Sequence, residues 1–206
     1  MLKLYFTPNT CALASHIALE FAGAEYELVR IDFKKEEQKS PEFLKVNPKA
    51  RVPALVTEKG VLTETPAILA FIAQSYPEAK LAPVDDAFAF AEVQAFNSYL
   101  CSTVHVAHSH RMRGSRWADE PAAWEAMKRK VPESVGECFE LIDRTMLKGP
   151  WVMGKDLGIC DFYLFTLAQW LEADGVDLTR IPKVIEHRAR VLALPQVKKA
   201  IGMETA

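Results

Sequence analysis

The chain has 206 residues, half of them apolar, with 25 Lys and Arg against 27 Asp and Glu and a formal net charge of -2. That composition supports a buried core and excludes disordered and collagen-like chains. The near balance of charge lacks the footprint of a dedicated nucleic-acid binder, and small-molecule or protein partners fit better.

The first eighty or so residues alternate short extended runs with helical ones. Leu2 to Phe6 reads as a strand, and the segment from Cys11 to Ala22 places Leu13, Ile17 and Phe21 on one helical face before a stop at Gly23. Tyr26 to Ile31 predicts a second strand. Ser40-Pro41-Glu42-Phe43 opens a short helix that Asn47-Pro48 closes. Val52 to Val56 and Val61-Leu62 flank the polar turn Glu58-Lys59-Gly60 and read as a hairpin, and a further helix runs from Pro66 to Tyr76. The order is βαβ, then α, then ββα.

Beyond Leu81-Ala82-Pro83 every segment has a helical period. The predicted organisation is a domain over residues 1–78, a linker over 79–85 and an all-helical domain over 86–206. Asp85-Asp86 starts a long helix with Val93, Phe96, Leu100, Val104 and Ala107 as its apolar stripe. Pro121 begins a stretch lasting to Leu147 that Pro132 should kink or interrupt. Helices over Asp161 to Leu171 and Ile181 to Leu192 follow, and Pro195 begins a short last one.

The four cysteines, Cys11, Cys101, Cys138 and Cys160, never form C-x-x-C, which argues against a disulfide scaffold or zinc knuckle and suits a reducing compartment. Thr7, Pro8 and Asn9 interrupt any signal-peptide apolar run, and no stretch of about 18 uncharged apolar residues exists. A soluble cytoplasmic protein is the expectation.

Thr7-Pro8-Asn9-Thr10-Cys11 joins the first strand to the first helix. With Asn9 or Thr10 as N-cap, Cys11 falls in the opening turn, where unpaired N–H groups and the helix dipole favour a thiolate. Cys11 is then a nucleophile or redox thiol, or else a small hydrophobe at a buried turn. Position 14 is Ala, so no dithiol pair forms. Val52-Pro53 suits the entry to a strand, with a cis bond as one reason for the proline. In Thr63-Glu64-Thr65-Pro66, Thr65 reads as the N-cap and Pro66 as the first helical residue. This is simple capping, or a carboxylate site at a helix N-terminus with Glu64 beside it to hold an ammonium group, a pair suited to an α-amino acid.

On the long helix, Ser98, Cys101, Ser102, His105 and His108 share an arc of roughly 120° apart from the apolar stripe. The His105/His108 spacing could bind a metal, but a third ligand on that face is missing. A solvated side chain is the plain reading for His108 and His110, and Arg111, Arg113 and Arg116 read as a solvated helix end that could meet a carboxylate.

Taken together, the chain resembles the cytosolic glutathione transferases, most closely their bacterial beta class. The carriers are Leu4 to His16, the run from Val46 to Leu55 and Leu62-Thr63-Glu64-Thr65. Further carriers are Ser102-Thr103-Val104-His105 and Trp151-Val152-Met153-Gly154 with Asp161 to Phe165. The resemblance implies an α+β thioredoxin-like domain followed by an all-helical domain, and a detoxifying transferase that uses glutathione as co-substrate and no metal. It implies that Cys11 sits beside the glutathione sulfur, where a mixed disulfide can form, and that His105 serves the same thiol. It places Val52, before a cis Pro53, against the cysteinyl part, Glu64 and Thr65 at the γ-glutamyl end, and Lys35, or else Lys34, at the glycyl carboxylate. Ser98 and Ser102 would complete the wall.

The family usually has Ser where Thr65 stands, Asn where Ser98 stands, and Ser or Thr where Gly158 stands. A hydrophobic electrophile and a homodimer are implied as well, with Phe6, Asn9, His108, Met112 and Trp117 as guesses for the electrophile site. The alternatives are a specialised glutathione-dependent isomerase or dehalogenase and a non-catalytic glutathione- or ligand-binding protein of the same fold.

Overall fold

A computed structural model describes residues 1–205 and divides into two compact units, Met1–Gln94 with the chain from Leu192 onward, and Ala95–Val191. The first unit contains β1 (Leu2–Phe6), α1 (Ala12–Ala22), β2 (Tyr26–Arg30), α2 (Pro41–Val46), β3 (Ala54–Thr57), β4 (Gly60–Thr63) and α3 (Thr65–Ser75). The strands form one mixed sheet in the order β2-β1-β3-β4. β1 runs parallel to β2, with Leu4 opposite Leu28, and antiparallel to β3, with Leu4 opposite Leu55, and β3 pairs antiparallel with β4.

Local chemistry explains these elements. Gly23, at φ 62°, ends α1 in the left-handed region that glycine adopts at no steric cost, and its N–H donates to the Glu20 carbonyl. The Ser40 hydroxyl accepts from the Phe43 N–H at 3.2 Å and caps α2. α1 packs on α3, and the fully buried Leu4, Ile17, Leu19, Leu55, Ile68, Leu69 and Ile72 form the core of this unit. Each such side chain contributes roughly 2 kcal/mol of burial free energy. Phe6, Ala12, Ile31, Phe43 and Val52 form a further buried cluster.

The last helix, α9 (Pro195–Thr205), is not short: it has 11 residues and packs on α1. It is held there by His16, whose Nδ1 lies 3.1 Å from Glu204 Oε1, and by Lys199, 2.8 Å from Glu20 Oε2. The division thus returns the C-terminal residues to the sheet-bearing unit and falls at Gln94, beyond the expected linker over 79–85.

α4 (Ala87–Tyr99) leads into the second unit. Asp86 starts it, its Oδ1 accepting from the N–H groups of Phe88 and Ala89 at 3.0 Å. The expected single long helix is broken by a π-helical turn over Leu100–Val104, in which the His105 N–H reaches back to the Leu100 carbonyl, before α5 (His105–Ser109). Such a turn inserts a residue and re-aims every side chain beyond it, so the faces drawn at 100° per residue do not carry through.

α6 (Pro121–Leu141) runs through Pro132 without interruption. Proline removes one intrahelical bond there, while Val131, Val135 and Phe139 anchor the helix in the core on either side. The regular helix ends instead in a π-helical turn at Ile142–Met146. α7 (Ile159–Ala168) is buried along its whole length, and α8 (Pro182–Ala193) follows. Among the described residues, no helix is long and apolar enough to cross a membrane.

Candidate functional site

In the first unit the residues between β1 and α1 form a bonded turn. Asn9 takes the left-handed conformation at φ 58°. The Thr10 hydroxyl donates to the Thr7 carbonyl at 2.7 Å and accepts from the Ala12 N–H at 3.4 Å. Neither Asn9 nor Thr10 occupies the cap position itself. Cys11 does, with right-handed backbone angles that continue the helix, while from one residue further out the Thr10 hydroxyl takes the Ala12 N–H and the Thr10 carbonyl the Leu13 N–H.

The Cys11 thiol is buried and donates to the Val52 carbonyl at 3.6 Å, so two of the predicted site residues, 41 positions apart, meet at the positive end of α1. Asn47 organises the approach to Val52. Its buried side chain donates to the Arg51 carbonyl at 2.6 Å and accepts from the Lys49 N–H at 3.1 Å. The Val52–Pro53 peptide is cis, and β3 begins at the next residue.

At the other end of the β4–α3 connection, the cap differs from expectation. Glu64, not Thr65, precedes the first helical residue, with φ 72° and ψ 121°, and its carbonyl accepts the Ile68 N–H at 3.0 Å. A non-glycine residue held in that region costs of order 1–3 kcal/mol, a strain that clusters at ligand clamps. Thr65 is buried in the first turn, and the Glu64 carboxylate is half-exposed. Lys49 Nζ lies 2.5 Å from Glu64 Oε1 and 2.6 Å from the Thr63 hydroxyl, a contact the sequence reading did not single out.

Lys35 lies in a 3-10 turn, largely exposed, with Asp32 as its ionic neighbour at 3.9 Å. Phe6, guessed for the electrophile site, is buried in the core, because its alternate position on β1 points inward.

In the second unit Ser98 and Ser102 are exposed on α4 and the π-helical turn, and Ser102 Oγ lies 3.5 Å from Thr103 Oγ1. His105, the first residue of α5, sets its ring 5.3 Å from that of Trp170. His108 is not solvated. It is buried, with Nδ1 on the Asp174 carboxylate, because the π-helical turn and the chain after α7 bring a buried carboxylate to it. Arg111 completes this group through Nε at 2.9 Å from Asp174 Oδ1.

Gly158, the residue before α7, has no side chain to accept from the Asp161 N–H, but Asp161 keeps the reciprocal half of the capping box. Its carboxylate accepts from the N–H groups of Gly158 and Val152 and from His187 Nε2, each at 2.8 Å. Burial pushes the thiols of Cys138 and Cys160 up from the ordinary range, against a lowering contact from Tyr99 at Cys138 and with the Asp161 charge adding to the rise at Cys160. Neither is set up as a nucleophile. Among the described residues no cysteine is disulfide-bonded and no metal-ligating group of three or more side chains occurs.

The chain thus joins a thioredoxin-like unit, with a cysteine at the first helix and a strained acidic residue before α3, to an all-helical unit. Residues 1–74 match the glutathione S-transferase N-terminal domain, and residues 108–202 match the glutathione S-transferase C-terminal domain. The chain is 30% identical to glutathione S-transferase GstA of Escherichia coli O157:H7, over 98% of each chain. It superposes with a TM-score of 0.95 and 42% identity on a glutathione transferase homologue from Sulfitobacter with bound glutathione, covering 100% of this chain and 99% of that one. A bacterial beta class glutathione S-transferase from Sphingomonas chungbukensis gives 0.85 and 31%, over 98% of each. The chain belongs to the glutathione S-transferase family.

Proposed function

We infer that the protein is a glutathione transferase that delivers the glutathione thiolate to hydrophobic electrophiles or exchanges it through mixed disulfides with Cys11. The observation that carries this reading is the 42% identity, over the whole chain, with a homologue that holds glutathione. The chemistry of the first unit suits the ligand. Glutathione offers one ammonium, two carboxylates and a thiol; Glu64 provides an anion, Lys35 a cation, the α3 N-terminus with the Thr65 hydroxyl a carboxylate site, and Val52 backbone polar groups beside Cys11.

The roles proposed for the residues follow from that fit. Glu64 and Thr65 take the γ-glutamyl end, Val52 before Pro53 pairs with the cysteinyl backbone, and Lys35 meets the glycyl carboxylate. Cys11, at the head of α1, neighbours the thiol, where helix N–H groups favour an anionic sulfur. His105 serves the same thiol, and Ser98 and Ser102 add polar contacts, on the strength of the family resemblance. In conjugation the sulfur forms a bond to an electrophilic carbon as the leaving group departs with its electron pair. A cytoplasmic homodimer acting in detoxification belongs to the same reading.

The test is retention on immobilised glutathione, followed by two assays of the eluted protein and of Cys11→Ala: conjugation of an aryl halide and reduction of a glutathionylated substrate. Retention with both activities, and a Cys11→Ala variant that loses at least one, is expected. Failure to be retained supports a non-catalytic member of the fold, and two unchanged rates make Cys11 a packing residue.

A further inference from the structure

The helical unit contains a buried ionic group that the transferase reading leaves unused. His108 and Asp174 have side chains 3% and 2% exposed and are joined through Nδ1. Arg111 grips the same turn twice, with Nε on Asp174 Oδ1 and Nη1 on the Ala173 carbonyl, both at 2.9 Å. The Asp174 N–H in turn donates to the Trp170 carbonyl at 3.0 Å. The turn from Trp170 to Asp174 is therefore closed on itself and clamped to the end of α5.

The clamp has an aromatic side. The Trp170 ring stands 5.2 Å from that of His108, edge to face, and 5.3 Å from that of His105. His105 and His108 are three residues apart, neighbours on one helical face, so a single indole contacts both imidazoles. The ring of His108 also stands edge-on to Phe139 at 5.8 Å. Its Nε2 is buried without a hydrogen-bond partner. With one nitrogen committed to Asp174 and the other touching no polar group, what His108 presents to its surroundings is a fixed ring.

We propose that His108, locked by Asp174 and Arg111, is a positioning residue that fixes the Trp170 indole and through it the His105 imidazole. The inference rests on the reading of His105 as the side chain that serves the glutathione thiol. A buried charged group needs both partners in place, so the His108 ring has one orientation, and the contact with Trp170 passes that constraint to His105. Small displacements of a catalytic group lower turnover more than they alter substrate affinity, and this sets the expected signature.

The experiment measures kcat and KM for glutathione, with an aryl halide as electrophile, in His108→Phe, Asp174→Asn, His105→Ala and the His105→Ala/His108→Phe double variant. His108→Phe should lower kcat about tenfold and leave KM for glutathione within about twofold. Asp174→Asn, whose single amide oxygen can accept from only one of the two donors His108 Nδ1 and Arg111 Nε, should lower kcat several-fold with KM for glutathione little changed, and an unchanged kcat overturns the inference. In the His105→Ala background His108→Phe should add less than about twofold.

A folded His108→Phe with wild-type kcat, or one whose loss is the same in both backgrounds, overturns the inference while leaving His105 its role. An unchanged kcat in His105→Ala overturns that role and the inference with it. If His108→Phe does not fold, Arg111→Gln, altered at a partly exposed side chain, takes its place. It should lower kcat several-fold in wild type and not in His105→Ala, and equal effects in the two overturn the inference.

Discussion

His16 Nδ1 lies 3.1 Å from a carboxylate oxygen of Glu204, with both side chains buried, although 188 residues separate them. The imidazole's other nitrogen is 2.9 Å from the Tyr26 hydroxyl, which donates to Glu20, and Glu20 is met by Lys199. One polar chain thus runs from α9 through α1 to β2 and back to α9.

Removing an end of that chain leaves a buried imidazole nitrogen without its acceptor. Glu204→Ala should destabilise the protein by about 3 kcal/mol, whereas Glu204→Gln, which keeps an acceptor oxygen, should cost less. Urea unfolding of the three proteins at neutral pH measures both differences.

Glu20 adds a pH dependence whose sign is set by its partners. Burial alone pushes its carboxyl up, but hydrogen bonds from Lys199 and Tyr26 outweigh that and hold it below the usual carboxylate range. A carboxyl lowered on folding stabilises the native state above its unfolded value and loses that contribution as pH falls through the folded one. Unfolding free energies of wild type and Glu20→Gln should therefore differ at pH 7 and converge as pH falls below about 4. A gap that widens on acidification reverses the assignment.

Asp161 accepts three hydrogen bonds in the buried interior of the helical unit. Asp161→Ala leaves the Gly158 N–H, the Val152 N–H and His187 Nε2 without their acceptor, at a cost of about 3 kcal/mol. The lowered thermal midpoint should come with faster proteolytic cleavage between Trp151 and Gly158, the segment whose backbone the carboxylate ties down.

At the head of α3, Glu64→Gln keeps the side chain's shape and removes its charge. The variant should raise KM for glutathione about tenfold with little change in kcat, since an exposed clamp contributes to binding in ground and transition states alike. Thr65→Val should act in the same direction. Saturation kinetics in glutathione at fixed electrophile distinguish this from a loss in kcat.

Much of this was legible from local pattern. Ser40 and Pro41 announced α2, the hairpin between Val52 and Leu62 followed from its polar turn, and the change to helical period after Pro83 separated sheet from helices. The resemblance carried by Leu4 to His16 and by Val46 to Leu55 supplied the family. What escaped depends on contacts between distant positions or on backbone that departs from the regular period. His108 read as solvated because Asp174 lies 66 residues away, and nothing in the α5 pattern reveals a partner there. The π-helical turn at Leu100–Val104 carries no composition signal and breaks the 100° arithmetic. Lys49 lies 15 residues before Glu64, and no local pattern around it reveals that partner.

Transferase activity is measured most directly as the initial rate at which the purified protein joins glutathione to an aryl halide, followed against glutathione concentration. The expected result is a rate well above that of glutathione in buffer, saturating in glutathione. A rate equal to the uncatalysed one, from protein that titration calorimetry shows does not bind glutathione, contradicts it.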